Sequence, residues 1–213
     1  MVLFTLTRAR WPRRSTDSGA LFSIAPYAAI VRLPKARLVM LAVFAEAVFF
    51  FGAFSFVGVL MRERFGLPYT VIGLAIAGFG ASGLLYTRAV RWLLGRYGQG
   101  GMVLRGGLAC GACFMGIALA PAWPIAFACT ACLGFFYYMM HNTLQTRATE
   151  MAPQSRARAL ALYSTAWAAG QAAGVSLLSA GVLAFGLAPM IAAFGIGIAL
   201  FGVWFRHNLP RFP

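Results

Sequence analysis

The feature that most constrains this chain is a long apolar run repeated six times, with almost nothing charged inside it. The runs cover roughly residues 38–60, 69–87, 102–120, 123–144, 159–183 and 188–205. A helix needs about 20 mostly apolar residues to cross a bilayer. The connections are short and carry turn residues: Gly66-Leu67-Pro68, Gly98-Gln99-Gly100-Gly101, Pro121-Ala122-Trp123-Pro124, Ala152-Pro153, and residues 186–189. The pattern predicts an all-α polytopic membrane protein with six transmembrane helices. Hydrophobic residues make up 61% of the chain, against roughly half in a soluble domain.

The charge that remains is lopsided: 18 Lys+Arg face 4 Asp+Glu, for a formal net charge of +14. A basic balance can mean nucleic acid. Here the arginines sit in short clusters between the apolar runs, so lipid is the expected partner and nucleic acid is not. Sixteen of the 18 cations fall on one side of a six-span layout. They lie before the first run (Arg8, Arg10, Arg13, Arg14, Arg32, Lys35, Arg37), between the second and third (Arg88, Arg91, Arg96, Arg105), between the fourth and fifth (Arg147, Arg156, Arg158) and in the tail (Arg206, Arg211). The positive-inside rule makes that side cytoplasmic, with both termini on it. The expected location is a bacterial inner membrane.

Three regions follow: a basic segment at 1–36, a six-helix transmembrane domain at 37–206 and a cytoplasmic tail at 207–213. Residues 20–31 are apolar but too short to span, and Pro26 interrupts them. Arg13-Arg14 is followed by Ser15-Thr16-Asp17, not by the apolar stretch of a twin-arginine signal. No apolar core meets a small-residue cleavage site. The segment reads as a basic surface lying on anionic lipid.

Two motifs suggest other chemistry. Cys110-Gly-Ala-Cys113 and Cys129-Thr-Ala-Cys132 have the spacing of a zinc site. Both lie on apolar runs with no Lys or Arg near them in sequence, and a four-thiolate zinc centre would bury a net negative charge in lipid. Small apolar residues for helix packing are the better reading, and neither metal nor cofactor is expected. Gly80-Ala81-Ser82-Gly83 has the Gly-x-Ser-Gly form of rhomboid-type intramembrane serine proteases, with His141 as a conceivable base. The run after His141, Asn142-Thr143-Leu144-Gln145, lacks the Gly-rich spacing usual there. A small-residue helix face accounts for Gly73, Ala77 and Gly80 more simply, so no enzyme is expected.

The polar residues inside the runs say more. Tyr138, His141, Asn142 and Gln145 fall at i, i+3, i+4 and i+7, on one face of the fourth helix. Tyr163, Trp167 and Gln171 repeat every fourth residue on the fifth, beside Gly170 and Gly174. Such groups avoid lipid and face either one another or a wet cavity. For the fourth-helix cluster a solute path is the better reading; for Gln171, a path candidate that sits among Gly and Ala, packing is slightly the better one. Glu46 lies nine residues past Arg37, about 13 Å along a helix. Either it reaches interfacial water by snorkelling, or it faces an interior as a protonatable carboxyl suited to proton coupling.

The run HNTLQTRATEMAPQSRARALALYSTAWAAGQAAG (residues 141–174) resembles the junction of the tenth and eleventh helices in major facilitator superfamily transporters, especially the branch labelled arabinose-efflux-type permeases. RWLLGRYGQGG resembles the superfamily's cytoplasmic loop signature. Arg91, Arg96 and Gly98 match it, while Gly95 replaces an acid and Gln99 a cation. AEAVFFFGAFSF resembles the seventh helix. The resemblance implies helices seven to twelve of a twelve-helix fold, with residues 1–36 as the central loop. A solute would then pass between this half and a second six-helix half, whether encoded upstream, supplied by a separate chain or provided by a second copy. It implies secondary transport, with efflux of a small organic molecule as the expected activity and proton coupling through Glu46. The alternative is a half-domain that transports nothing and serves as an assembly or regulatory subunit.

Overall fold

A computed structural model describes residues 24–213. The expectations for Arg8, Arg10, Arg13 and Arg14 lie outside the described residues. Helices make up the described fold: α1 (Ala25–Arg32), α2 (Pro34–Phe65), α3 (Tyr69–Leu119), α4 (Trp123–Glu150), α5 (Arg156–Phe185) and α6 (Leu187–Asn208). The last five are long and apolar enough to cross a membrane. Pro26, expected from sequence to interrupt the apolar stretch, sits in the first turn of α1, where a missing N–H costs nothing. Pro34 and Pro124 start α2 and α4 in the same way. Gly66 ends α2 in the left-handed conformation, φ 65°, with its N–H donated to the Arg62 carbonyl at 3.0 Å.

The helices outrun the apolar runs. α2 has 32 residues, about 48 Å at 1.5 Å per residue, against about 30 Å of hydrocarbon. The apolar run reports where lipid is; the helix continues until a breaker stops it. The second and third runs were expected as separate helices joined by a loop. Two helical arms meet there without a loop, joined at Gly98, the one residue of α3 outside helical geometry, at φ 61° and ψ 174°. The chain nevertheless reverses there. Before the break, Gly78 meets Ala131 and Gly83 meets Tyr138, so that arm runs parallel to α4. After it, Gly106 meets Met139 and Met140 while Gly116 meets Cys129, so the second arm runs antiparallel.

Backbones approach closely where glycines permit it. Gly170 lies against the Phe44 carbonyl and Ala47, and Gly174 against the Val48 backbone. These contacts join α5 to α2. A Cβ on Gly107 would stand 2.7 Å from the Gly202 Cα, which joins the second arm of α3 to α6. Gly73 and Gly80, expected at close crossings, face open space instead; Gly78, Gly83 and Gly134 make that arm's close contacts. The centre is aromatic: Phe50 packs on Phe54, Phe79, Phe114 and Tyr137, the last at 4.2 Å between ring centroids.

The two ends differ in charge. The basic end holds the Gly98 break, where Arg147 donates to Gln99 Oε1 at 2.6 Å, to Glu150 Oε2 at 3.1 Å and to the Pro213 carbonyl. At the opposite end Arg62 donates to the Gly66 and Leu67 carbonyls, and Arg64 to the Ala118 carbonyl at 2.6 Å. Those two cations satisfy carbonyls at helix ends that have no partners within their own helices.

Candidate functional site

α2 turns Val39, Val43, Glu46, Phe50, Ala53 and Val57 toward the other helices. That stripe has helical spacing, and Glu46 is its one charged member. Its side chain is fully buried, at 0% exposure. The close approach of Gly170 and Gly174 on either side of it presses α5 onto α2 at this level.

Glu46 Oε2 lies 2.8 Å from Nδ1 of His141 on α4. The Tyr137 hydroxyl lies 2.9 Å from the same nitrogen, and its ring stacks on the imidazole at 4.7 Å. Tyr163 of α5 brings its hydroxyl to 3.5 Å from Nε2. Three helices therefore converge on one imidazole. Among the described residues no Lys or Arg forms an ion pair with Glu46. Its second oxygen, Oε1, is buried without a partner.

One nitrogen with two claimants is a proton-sharing arrangement. If Nδ1 carries a hydrogen, it donates to the Glu46 carboxylate. If it is bare, it accepts from the Tyr137 hydroxyl or from a protonated Glu46. Each proton count selects a different pair, so protonation and local geometry are tied.

The path candidates divide among three levels. Asn142 and Gln145 line a cavity of about 500 Å³ toward the basic end, with Tyr86, Gln99, Thr146 and Leu160. Gln171 lines one of about 680 Å³ toward the opposite end, with Phe51, Phe54, Ser55, Arg62 and Tyr69. Between them lie Glu46, His141, Tyr163 and Trp167, the last at 5.0 Å from the Phe51 ring with its buried Nε1 unpartnered. Tyr138 points elsewhere. It stacks on Tyr86 at 6.2 Å and fills the space left by Gly83. Tyr137 takes the place at the imidazole that spacing had suggested for Tyr138. Both lie within a turn of His141, so helical period alone does not separate them.

Ser82 is not placed for nucleophilic chemistry with His141. Its hydroxyl donates to the Phe79 carbonyl at 2.9 Å and accepts from the Phe135 N–H at 3.1 Å. His141 is occupied by Glu46 and the two tyrosines. The four cysteines are free, and no group of metal-binding side chains occurs among the described residues. Arg91 and Arg96, from the loop signature, are exposed beside Gly98 at the basic end.

Long apolar helices around a buried acid–imidazole pair define a polytopic membrane protein. The family model for the Major Facilitator Superfamily matches residues 1–175, and the chain belongs to that superfamily. It is an integral membrane protein of a family of transporters. No curated protein and no solved structure matches the chain.

Proposed function

We propose that this chain is one six-span half of a proton-coupled secondary transporter that exports a small organic solute by alternating access. The two antiparallel arms of α3 count as two crossings, which supports six. The charge difference between the ends supports a cytoplasmic basic end, with both termini there. The observation that carries the reading is the fully buried Glu46 carboxyl, bonded to His141 and to no cation among the described residues. Proton binding at Glu46 would loosen or tighten its hold on His141 of α4, the helix that lines the cavity at the basic end, beside Tyr163 of α5, the helix that contributes Gln171 to the opposite one.

The second wall of the path would come from another six-helix unit, in the same polypeptide, in a separate one or in a second copy. The small, exposed residues Gly73, Ala77 and Gly80 on α3, with Ala168 and Ala172 on α5, suit a close helix contact with it.

The test uses inverted membrane vesicles from cells producing the protein together with its native neighbours, energised by a pH gradient. A panel of organic solutes is added, and collapse of the gradient is followed with a pH-sensitive dye. At least one solute should discharge the gradient, and Glu46→Gln should abolish that response while leaving the amount of folded protein unchanged. No response from any solute, or an undiminished response in Glu46→Gln, overturns the reading. A response that requires no second six-helix unit would overturn the half-transporter part alone.

A further inference from the structure

The outer face of α2 at the basic end carries two grooves that meet at one residue. The first lies between α2 and α6, has a volume of about 390 Å³, and is lined by Leu38, Leu41, Phe49, Gly197 and Trp204, without a charged group. The second lies on the α5 side of α2, has a volume of about 280 Å³, and is lined by Arg37, Leu41, Phe44 and Ala166. Leu41 belongs to both and forms the ridge between them, 66% exposed. Arg37 stands one helical turn above it.

The dimensions fit one leaflet. From Leu38 to Phe49 is eleven residues, about 16 Å of helix, against about 15 Å for half the hydrocarbon core. The Phe49 ring closes onto Gly197 and makes the floor of the larger groove near mid-membrane. Trp204 stands at its upper rim, a depth that indoles favour at a membrane interface.

The charge at the mouth is uncompensated. Arg37 is exposed and has no acidic partner among the described residues; the acids among them are Glu46, buried against His141, Glu63 in the last turn of α2 at its far end, and Glu150, paired with Arg147. Lys35 and Arg32 are exposed nearby in the chain. A guanidinium above two apolar channels is complementary to a phosphodiester carrying two acyl chains.

We infer that the face of α2 around Leu41 is a binding site for one anionic diacyl phospholipid. Its two chains straddle Leu41, one in each groove, and its phosphate sits on Arg37. The site is separate from the solute path and does not depend on the transport reading.

The test is made on the full chain in bilayers containing dibrominated phosphatidylglycerol or dibrominated phosphatidylcholine. Bromine quenches indole fluorescence on contact, and the difference between wild type and Trp204→Phe isolates the groove. Phosphatidylglycerol should be favoured at Trp204 about fivefold, the effect of one cation near anionic lipid. Arg37→Gln should bring that preference to about one, while Arg88→Gln, an exposed arginine elsewhere on the basic end, should leave it intact. Equal quenching by the two lipids in wild type overturns the site. So does a preference that survives Arg37→Gln, or one that Arg88→Gln reduces as far.

Discussion

Two regions use the same residue type with opposite outcomes. On α5, Gly170 and Gly174 face α2 and let the two backbones touch on either side of Glu46. On the first arm of α3, Gly73 and Gly80 face open space. The first pair makes a seam; the second makes a smooth outer surface. The seam creates the site, because only that approach buries Glu46 while bringing Tyr163 to His141. A glycine in a membrane helix thus marks a place where close contact is permitted, and the opposing surface decides whether it is used.

The largest effect should come from filling the seam. Gly174→Val places a branched side chain on the Val48 backbone, and overpacking of that kind costs about 1–3 kcal/mol or more. A clear fall in the thermal midpoint of detergent-purified protein would show it. Gly80→Val should stay within about 0.5 kcal/mol of wild type, as surface changes do. Equal effects of the two variants would end the distinction between seam and surface.

The next effect concerns what the seam encloses. Leaving a buried polar group without its partner costs about 1–3 kcal/mol, so Glu46→Ala, which strips His141 of its carboxyl partner, should destabilise by up to that much. Glu46→Gln keeps a hydrogen-bonding group at His141 and should fold at near wild-type stability. The infrared spectrum should then lose one carboxyl band in Glu46→Gln. A spectrum unchanged by the substitution would assign that band to another group.

Smaller still is Tyr137→Phe, which leaves the ring stack on His141 and removes one claimant for Nδ1. A single hydrogen bond is worth about 0.5–1.5 kcal/mol net, and the thermal midpoint should fall accordingly. Tyr138→Phe should not touch the imidazole, so its infrared spectrum should match wild type. If Tyr138→Phe alters the carboxyl band and Tyr137→Phe does not, the assignment of the two tyrosines is reversed.

The smallest effect on stability should come from the cavities. In a background without the four natural cysteines, Asn142→Cys and Gln171→Cys should both remain within about 0.5 kcal/mol of that background. A membrane-impermeant thiol reagent should reach them from opposite sides. Labelling of both from one side would show that the two cavities form a single vestibule, without the Glu46–His141 level between them.

Much of the architecture was legible from apolar run length, because lipid thickness fixes how many apolar residues a crossing helix needs. The Gly98 position was legible too, as a turn; that the chain stays helical on both sides of it was not, since Gly95, Gly100 and Gly101 read as further breakers and the structure keeps all three helical. Glu46 and His141 could each be picked out, being polar groups in apolar helices. Their pairing could not, since they stand 95 positions apart in the chain. Tyr137 was passed over for Tyr138 because a turn of helix offers both neighbours at nearly equal angles. The four residues taken as one solute-lining face on α4 came apart for the same reason: one face of a long helix passes several environments along its length.

The sequence by itself determined that this chain enters a membrane, which end is basic and which few polar groups must find shelter. Those are consequences of transfer between water and hydrocarbon, which acts on each residue where it stands. Only the tertiary structure decided that the acid of α2 meets the imidazole of α4, that α5 closes over them, and that one pair of glycines is used and another left open. Those outcomes depend on how separate helices fit together, and close packing is a property of opposed surfaces rather than of either one.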